Sequence, residues 1–290
     1  MGDSLPNVFF PATVQGNVVR FNGPHIGGYA SLERLFGGQT AAQIEKAART
    51  LHPECVVLTV KVNFIGPGNV RDPIDYVGTD IPETDFLIFD VWQNEKQIAS
   101  GKVRIGRSSD LMQPMISVAP KAKNPLFYPT VTECMRAHKD DSPWTLLTFI
   151  ANSTLFETRP IDFEHFSFQR DQSEPLVIWF RLRPPFLDLL PKVDGQTVAV
   201  MLSDFIVPQP AFINLIRNGS RGDMERCASL NHIVTFHTVD DIDPYGWFLY
   251  ESSCNSHSMN RFLVETKIFD SKGKSLLCSL QEGVALKEQM

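Results

Sequence analysis

Apolar and polar positions divide this chain into two stretches that follow one plan. Residues 56–68, VVLTVKVNFIGPG, alternate, with Val60, Val62 and Phe64 on one face, and predict a strand. Residues 85–105, DFLIFDVWQNEKQIASGKVRI, hold two β-like runs around Asn94-Glu-Lys and predict a hairpin. The same plan returns as SLNHIVTFHTVD, 229–240, and FLVETKIFDSKGKSLLCSLQEGVAL, 262–286, with Asp270-Ser-Lys-Gly as the turn. Ahead of each set stands a Gly-Gln-Thr that opens a small or apolar stretch: GGQTAAQIEKAA at 37–48 and GQTVAVMLSD at 195–204. Glycine, then a hydroxyl, then Ala-rich sequence suits a helix start. The order helix, strand, strand, turn, strand therefore occurs twice, which reads as an internal duplication. Residues 111–144 are rich in Pro and Lys and read as a linker. The expected domains are 1–110 and 145–290.

A helix over 196–207 is apolar almost all round, through Val198, Val200, Met201, Leu202, Phe205 and Ile206, and is expected to be buried on several sides. It carries one carboxylate, Asp204. An unpaired buried carboxylate costs several kcal/mol, so Asp204 must be partnered, exposed at a helix end, or lining a site. A solvated acid in the last turn before Pro208 is the plain alternative, although the helix dipole opposes an acid there. Counted from the paired glycines, the first half has Ala47 at the matching place. The acid thus belongs to one copy only, as a catalytic group can and a shared structural group does not. Ser229 opens the SLNH strand and Gln281 stands near the end of the last one. Each reads equally as a strand-edge polar group or as a group that turns a water toward a carbonyl.

Composition narrows the classes. Hydrophobic residues make up 43% of the 290 positions and charged residues 21%, enough for a core without disulfides or metal. The net charge is −6 and no dense Lys/Arg run occurs, so nucleic acid is not an expected partner. The five cysteines form no CxxC pair, which fits a reducing compartment. No apolar run approaches the roughly 20 residues of a membrane span, and the N-terminus lacks a secretory pattern. GxSxG, HExxH, Walker and GxGxxG motifs are absent from the sequence. His232 and His237, an odd number apart on a strand, are expected on opposite faces and do not pair on a metal. No metal and no cofactor is expected.

At these residues the chain resembles the acyl-CoA thioesterase II family, the double hot-dog thioesterases. The likeness runs in order through RLFGGQTAAQ (34–43), VNFIGPGN (62–69), WQNEKQIASGKVRI (92–105), ETRPIDF (157–163), MLSDF (201–205), SLNHIVTFH (229–237) and SLQEGV (279–284). It implies an α+β fold of two tandem hot-dog domains, each a curved antiparallel sheet around a central helix. It also implies a catalytic acid after the second central helix, a hydroxyl before the next strand and a glutamine in the final strand. Here these are Asp204, Ser229 and Gln281. The chain departs from the family in having Asn231-His232 where Asp-His is usual. Its segment IPETDFLIFDVW lacks the usual Gly, Ser and Arg, and no SKL-type tail is present.

The implied activity is hydrolysis of fatty acyl-CoA to free acid and CoA, without an acyl-enzyme. Helix-start N–H groups at Gly37 and Gly38, or at Gly195, are candidates for the developing oxyanion. Arg217, Arg221 and Arg226 are candidates for the CoA phosphates, or simply a solvated loop. The resemblance further implies a homo-oligomer in the cytoplasm or the peroxisome. The rival readings are a non-catalytic hot-dog protein that binds acyl chains or acyl-CoA, and a dehydratase. The second would want a His paired with an acid near a central helix, and none lies in 36–48 or 195–210.

Overall fold

The computed structural model of the chain describes residues 8–28, 31–107, 117–138, 145–169, 175–183, 193–217 and 227–285. Strands β1 (Thr13–Gln15) and β2 (Val18–Phe21) come first, then a short ribbon of β3 (Gly27–Gly28) and β4 (Ser31–Leu35). Helix α1 (Gly37–Leu51) follows, then β5 (Val56–Phe64), β6 (Ile74–Asp80), β7 (Phe86–Gln93) and β8 (Lys96–Gly106). A 3-10 turn at Pro125–Phe127 leads to α2 (Val131–His138) and α3 (Thr145–Ala151). The rest is β9 (Phe156–Pro160), α4 (Phe163–Phe166), β10 (Leu176–Leu182), α5 (Gly195–Ser203), α6 (Pro208–Arg217), β11 (Cys227–Phe236), β12 (Phe248–Ser258), β13 (Arg261–Asp270) and β14 (Ser275–Ala285).

Among the described residues, twelve strands form one antiparallel sheet in the order β1-β2-β6-β7-β8-β5-β11-β14-β13-β12-β10-β9. Read outward from its middle, the first half runs β5, β8, β7, β6, β2, β1 and the second β11, β14, β13, β12, β10, β9. The halves are the same meander drawn twice and joined at one seam. That seam pairs Thr59–Asn63 with Asn231–Thr235. The molecule is α+β, two hot-dog units in tandem, each half-sheet packed on its own central helix, α1 or α5.

The two central helices lie head to tail. The start of α1 meets the end of α5 so closely that a Cβ on Gly38 would stand 2.8 Å from the Met201 carbonyl oxygen. Only glycine allows that approach. At the other end, the Thr197 hydroxyl of α5 donates to buried Glu45 of α1 over 2.9 Å. Arg49 of α1 pairs with Glu45 and with Asp194. Asp194 in turn caps α5 by accepting from the Gln196 N–H. Ala41, Ala42, Ala47 and Ala48 are fully buried, and their small side chains let α1 sit between the sheet and its partner helix.

Two local readings shift. The second central helix ends at Ser203 rather than at 207, and a second helix starts at Pro208. A proline disfavours helical geometry in the residue before it and suits the first turn of a new helix. Within the stretch read as linker, Val131–His138 is helical, with Val131 and Cys134 buried. It opens on a capping box: the Glu133 carboxylate accepts from the Thr130 N–H, and the Thr130 hydroxyl accepts from the Glu133 N–H.

Candidate active site

Asp204 occupies the C-cap of α5, with its residue only 7% exposed. Phe205 beside it is gripped by aromatic rings: Phe156 at 5.0 Å, Phe149 and Phe180 at 5.9 Å, and Phe36 at 6.4 Å. Such a cluster fixes the backbone that presents the carboxylate. The Asp204 side chain points away from its own helix and accepts from the Gly38 backbone N–H at the start of α1. One helix end opposes the charge and the facing helix end supports it.

Gln281 of β14 completes the cluster. Its Nε2 donates to Asp204 Oδ1 over 2.5 Å and to Ser229 Oγ over 2.6 Å. A carboxamide has two N–H bonds to give, and both are spent here. Gln281 therefore ties the acid to the hydroxyl and has no hydrogen left for anything else. Burial, the largest influence, pushes the Asp204 carboxyl up from the ordinary 3.8 to about 7, against the pull of Gln281 and Gly38. A carboxyl so placed changes charge near neutrality, as a general base requires.

Ser229 reaches this cluster by a local irregularity. Opposite β14, the register of β11 slips between Ser229 and Asn231, so that Leu230 is an extra residue. Across an unbroken strand, Ser229 and His232 would face opposite ways. The bulge turns both toward the helices. Ser229 lies in the third position of its strand, not at the start. His232 is fully buried, with Nε2 2.8 Å from Ser203 Oγ, and burial holds the imidazole down to about 4, hence neutral. His237, past the end of β11, bonds to Ser275 Oγ instead.

The trio stands in the wall of a cavity of about 420 Å³. Phe36, Phe64 and Ile98 from the first half and Phe149, Phe205 and Phe262 from the second give it an apolar lining. Among the described lining residues the charged ones are Asp204 and Arg34, the latter exposed on β4. Both halves contribute, so the site lies across their junction.

Gly37 also lines the cavity, with Asp204 Oδ2 2.9 Å from where a Cβ on it would stand. Gly38 is not among the lining residues, and its N–H is given to Asp204. Gly195, the matching helix start, is pressed against the Ile242 carbonyl. The side chain of Arg217, together with Arg221 and Arg226, lies outside the described residues. Sequence reasoning missed Arg34 and the aromatic walls. The motif RLFGGQ carries Arg34 and Phe36, but nothing in its spacing says that they face a cavity.

A family model for the acyl-CoA thioesterase C-terminal domain matches residues 130–285. The chain belongs to the acyl-CoA thioesterase family. As a thioesterase it is a thioester hydrolase. The match holds the three polar residues and begins inside the stretch that reads as linker. No curated protein sequence matches the chain. Among solved structures, the thioesterase is similar to a tesB protein from Mycobacterium avium subsp. paratuberculosis, at 19% identity, with 99% of each chain covered and a TM-score of 0.70. Acyl-CoA thioesterase II TesB2 from Mycobacterium marinum gives the same figures. A hot-dog protein of unknown function from Alicyclobacillus acidocaldarius is 18% identical over 96% of each chain, with a TM-score of 0.68. These three likenesses show the fold that the thioesterase shares.

Proposed function

We propose that the chain hydrolyses fatty acyl-CoA thioesters at one site, with Asp204 activating a water beside Ser229. The observation that carries this reading is the Gln281 bridge, which holds a carboxyl with a pKa near neutrality and a hydroxyl side by side in an apolar wall. With both Gln281 hydrogens spent, the second carboxylate oxygen of Asp204 and the Ser229 hydroxyl are the groups left to hold water. Gln281 positions its partners rather than the water itself.

In the reaction, the Asp204 carboxylate takes a proton as the water oxygen attacks the thioester carbonyl carbon. The carbonyl oxygen becomes an oxyanion, facing the Gly37 N–H at the positive end of α1. The C–S bond then breaks. The proton on Asp204 passes to the departing thiolate, and the free acid and CoA leave. The phenylalanine-lined cavity receives the acyl chain, and Arg34 at its rim faces the CoA phosphates. The reading divides the chain into a domain of 1–110, which supplies Gly37, Gly38 and one wall, and a domain of 145–290, which supplies the trio.

The test is thiol release from a panel of acyl-CoAs of rising chain length, with the parent and Asp204→Asn. Release by the parent and its loss in the variant support the reading. Tight acyl-CoA binding with no release at any length would replace hydrolysis by binding.

A further inference from the structure

Two buried polar atoms near the site have no partner among the described residues: Nδ1 of His232 and Oε1 of Gln281. Their residues are 0% and 1% exposed. They are also directly opposed across the β11–β14 pair. A buried donor or acceptor left unmatched is destabilising, so two on paired residues ask for an explanation.

The tautomer of His232 supplies it. A carboxamide oxygen only accepts, so Nδ1 matches it only when Nδ1 carries the proton. Nε2 then offers a lone pair, and the Ser203 hydroxyl, 2.8 Å away, donates to it. That hydroxyl also lies 2.7 Å from the Val200 carbonyl oxygen, its other acceptor. Were it to donate there, Nε2 would carry the proton, and two acceptors would face each other across the strand pair. The Nδ1–H form leaves no such conflict. A hydrogen bond from that Nδ1–H to the Gln281 oxygen would complete one directed chain, from Ser203 through His232 to Gln281, and from Gln281 to Asp204 and Ser229.

We propose that His232 is a positioning residue: its Nδ1–H holds the carboxamide oxygen of Gln281, so that both amide hydrogens face Asp204 and Ser229. Without that hold the amide can turn over and set its oxygen against the carboxylate. The side chain of Gln281 favours the protonated imidazole, consistent with a close approach, and burial keeps the ring neutral. The proposal rests on the water-activation reading, since it concerns the residue that ties the acid to the hydroxyl.

The experiment compares the full chain with His232→Leu, His232→Asn and Asp204→Asn by thiol release, with thermal melting to confirm folding. In His232→Leu, kcat is expected to fall about 10-fold or more with KM within about two-fold of the parent. In His232→Asn, whose amide N–H can stand where the ring N–H stood, kcat returns to within about three-fold. A folded His232→Leu at the parent kcat, or equal losses in both variants, would overturn the proposal. Parent-rate turnover by Asp204→Asn would instead remove the water-activation reading, and this role with it. Nitrogen-15 shifts of the His232 ring in the unaltered protein give an answer even where a variant does not fold. A protonated Nδ1 supports the proposal and a protonated Nε2 overturns it.

Discussion

The backbone N–H of Gly38, at the start of one central helix, donates to the carboxylate of Asp204, at the end of the other. Each residue comes from a different half of the duplicated fold. The acid is therefore partnered across the junction, and its charge state depends on both halves.

Activity is expected to follow the Asp204 carboxylate. With its carboxyl at about 7, kcat/KM should rise about tenfold per pH unit below neutrality and level off above it. Asp204→Asn should lower kcat by about 10²–10⁴ on the plateau above neutrality, the usual worth of a general base, and by progressively less as the parent's own carboxylate is protonated at lower pH. A steady-state pH profile from 5 to about 9, taken on both proteins, checks both statements.

The same acid should cost stability. The unfolded carboxyl titrates near 3.8 and the folded one at about 7. Between those values the folded state keeps a proton that the unfolded state has released, so stability falls as pH rises from about 4 to about 7 and is flat above. The span corresponds to about 4 kcal/mol at most. Asp204→Asn should therefore melt above the parent at pH 8 and lose that advantage by about pH 4, as thermal melts would record.

Ser229→Ala and Gln281→Ala should each cost about 10-fold or more in kcat. Because one amide nitrogen binds both Ser229 and Asp204, the Gln281 change disturbs two groups and should be the larger. The double variant should fall well short of the product of the two losses, since the groups act as a unit. A double-mutant cycle on kcat measures this.

Arg49→Met should destabilise the fold by about 3–5 kcal/mol at pH 7, because it leaves the buried Glu45 carboxyl without its partner. The loss should shrink as pH falls and Glu45 takes up a proton. Arg49 lies at the far end of the helix pair from Asp204, so kcat below the melting range should stay close to the parent. Urea unfolding at two pH values, beside a turnover assay, separates the two effects.

Much of the fold was legible because duplication repeats its own signals. The paired Gly-Gln-Thr marks the starts of α1 and α5, and the polar turns at Asn94 and Asp270 mark the hairpins. Strands β6 and β12 were not separately visible. In IDYVGTD the buried face is only Ile74, Tyr76 and Gly78, and FLYESSCNSHS turns polar after Tyr250, so neither run stands out as a strand. Asp204 stood out because a carboxylate in an apolar helix has few stable places. Its partner did not, since the contact with Gly38 joins residues 166 positions apart, 204 less 38. The bulge at Leu230 leaves no trace in residue type, so the shared face of Ser229 and His232 is a property of register alone.

The seam between β5 and β11 sets two unlike copies side by side. Suppose a C-terminal half stood alone and satisfied its bare edge by docking on a twin. The duplicated plan would then bring the start of a second α5 against Asp204, where α1 now lies. Ahead of the glycine there, Asp194 would replace Gly37, and two carboxylates would meet in the cavity wall. The Gly-Gln-Thr signature is common to both copies, but the residue just before it makes the unlike pairing tolerable and the like pairing repulsive.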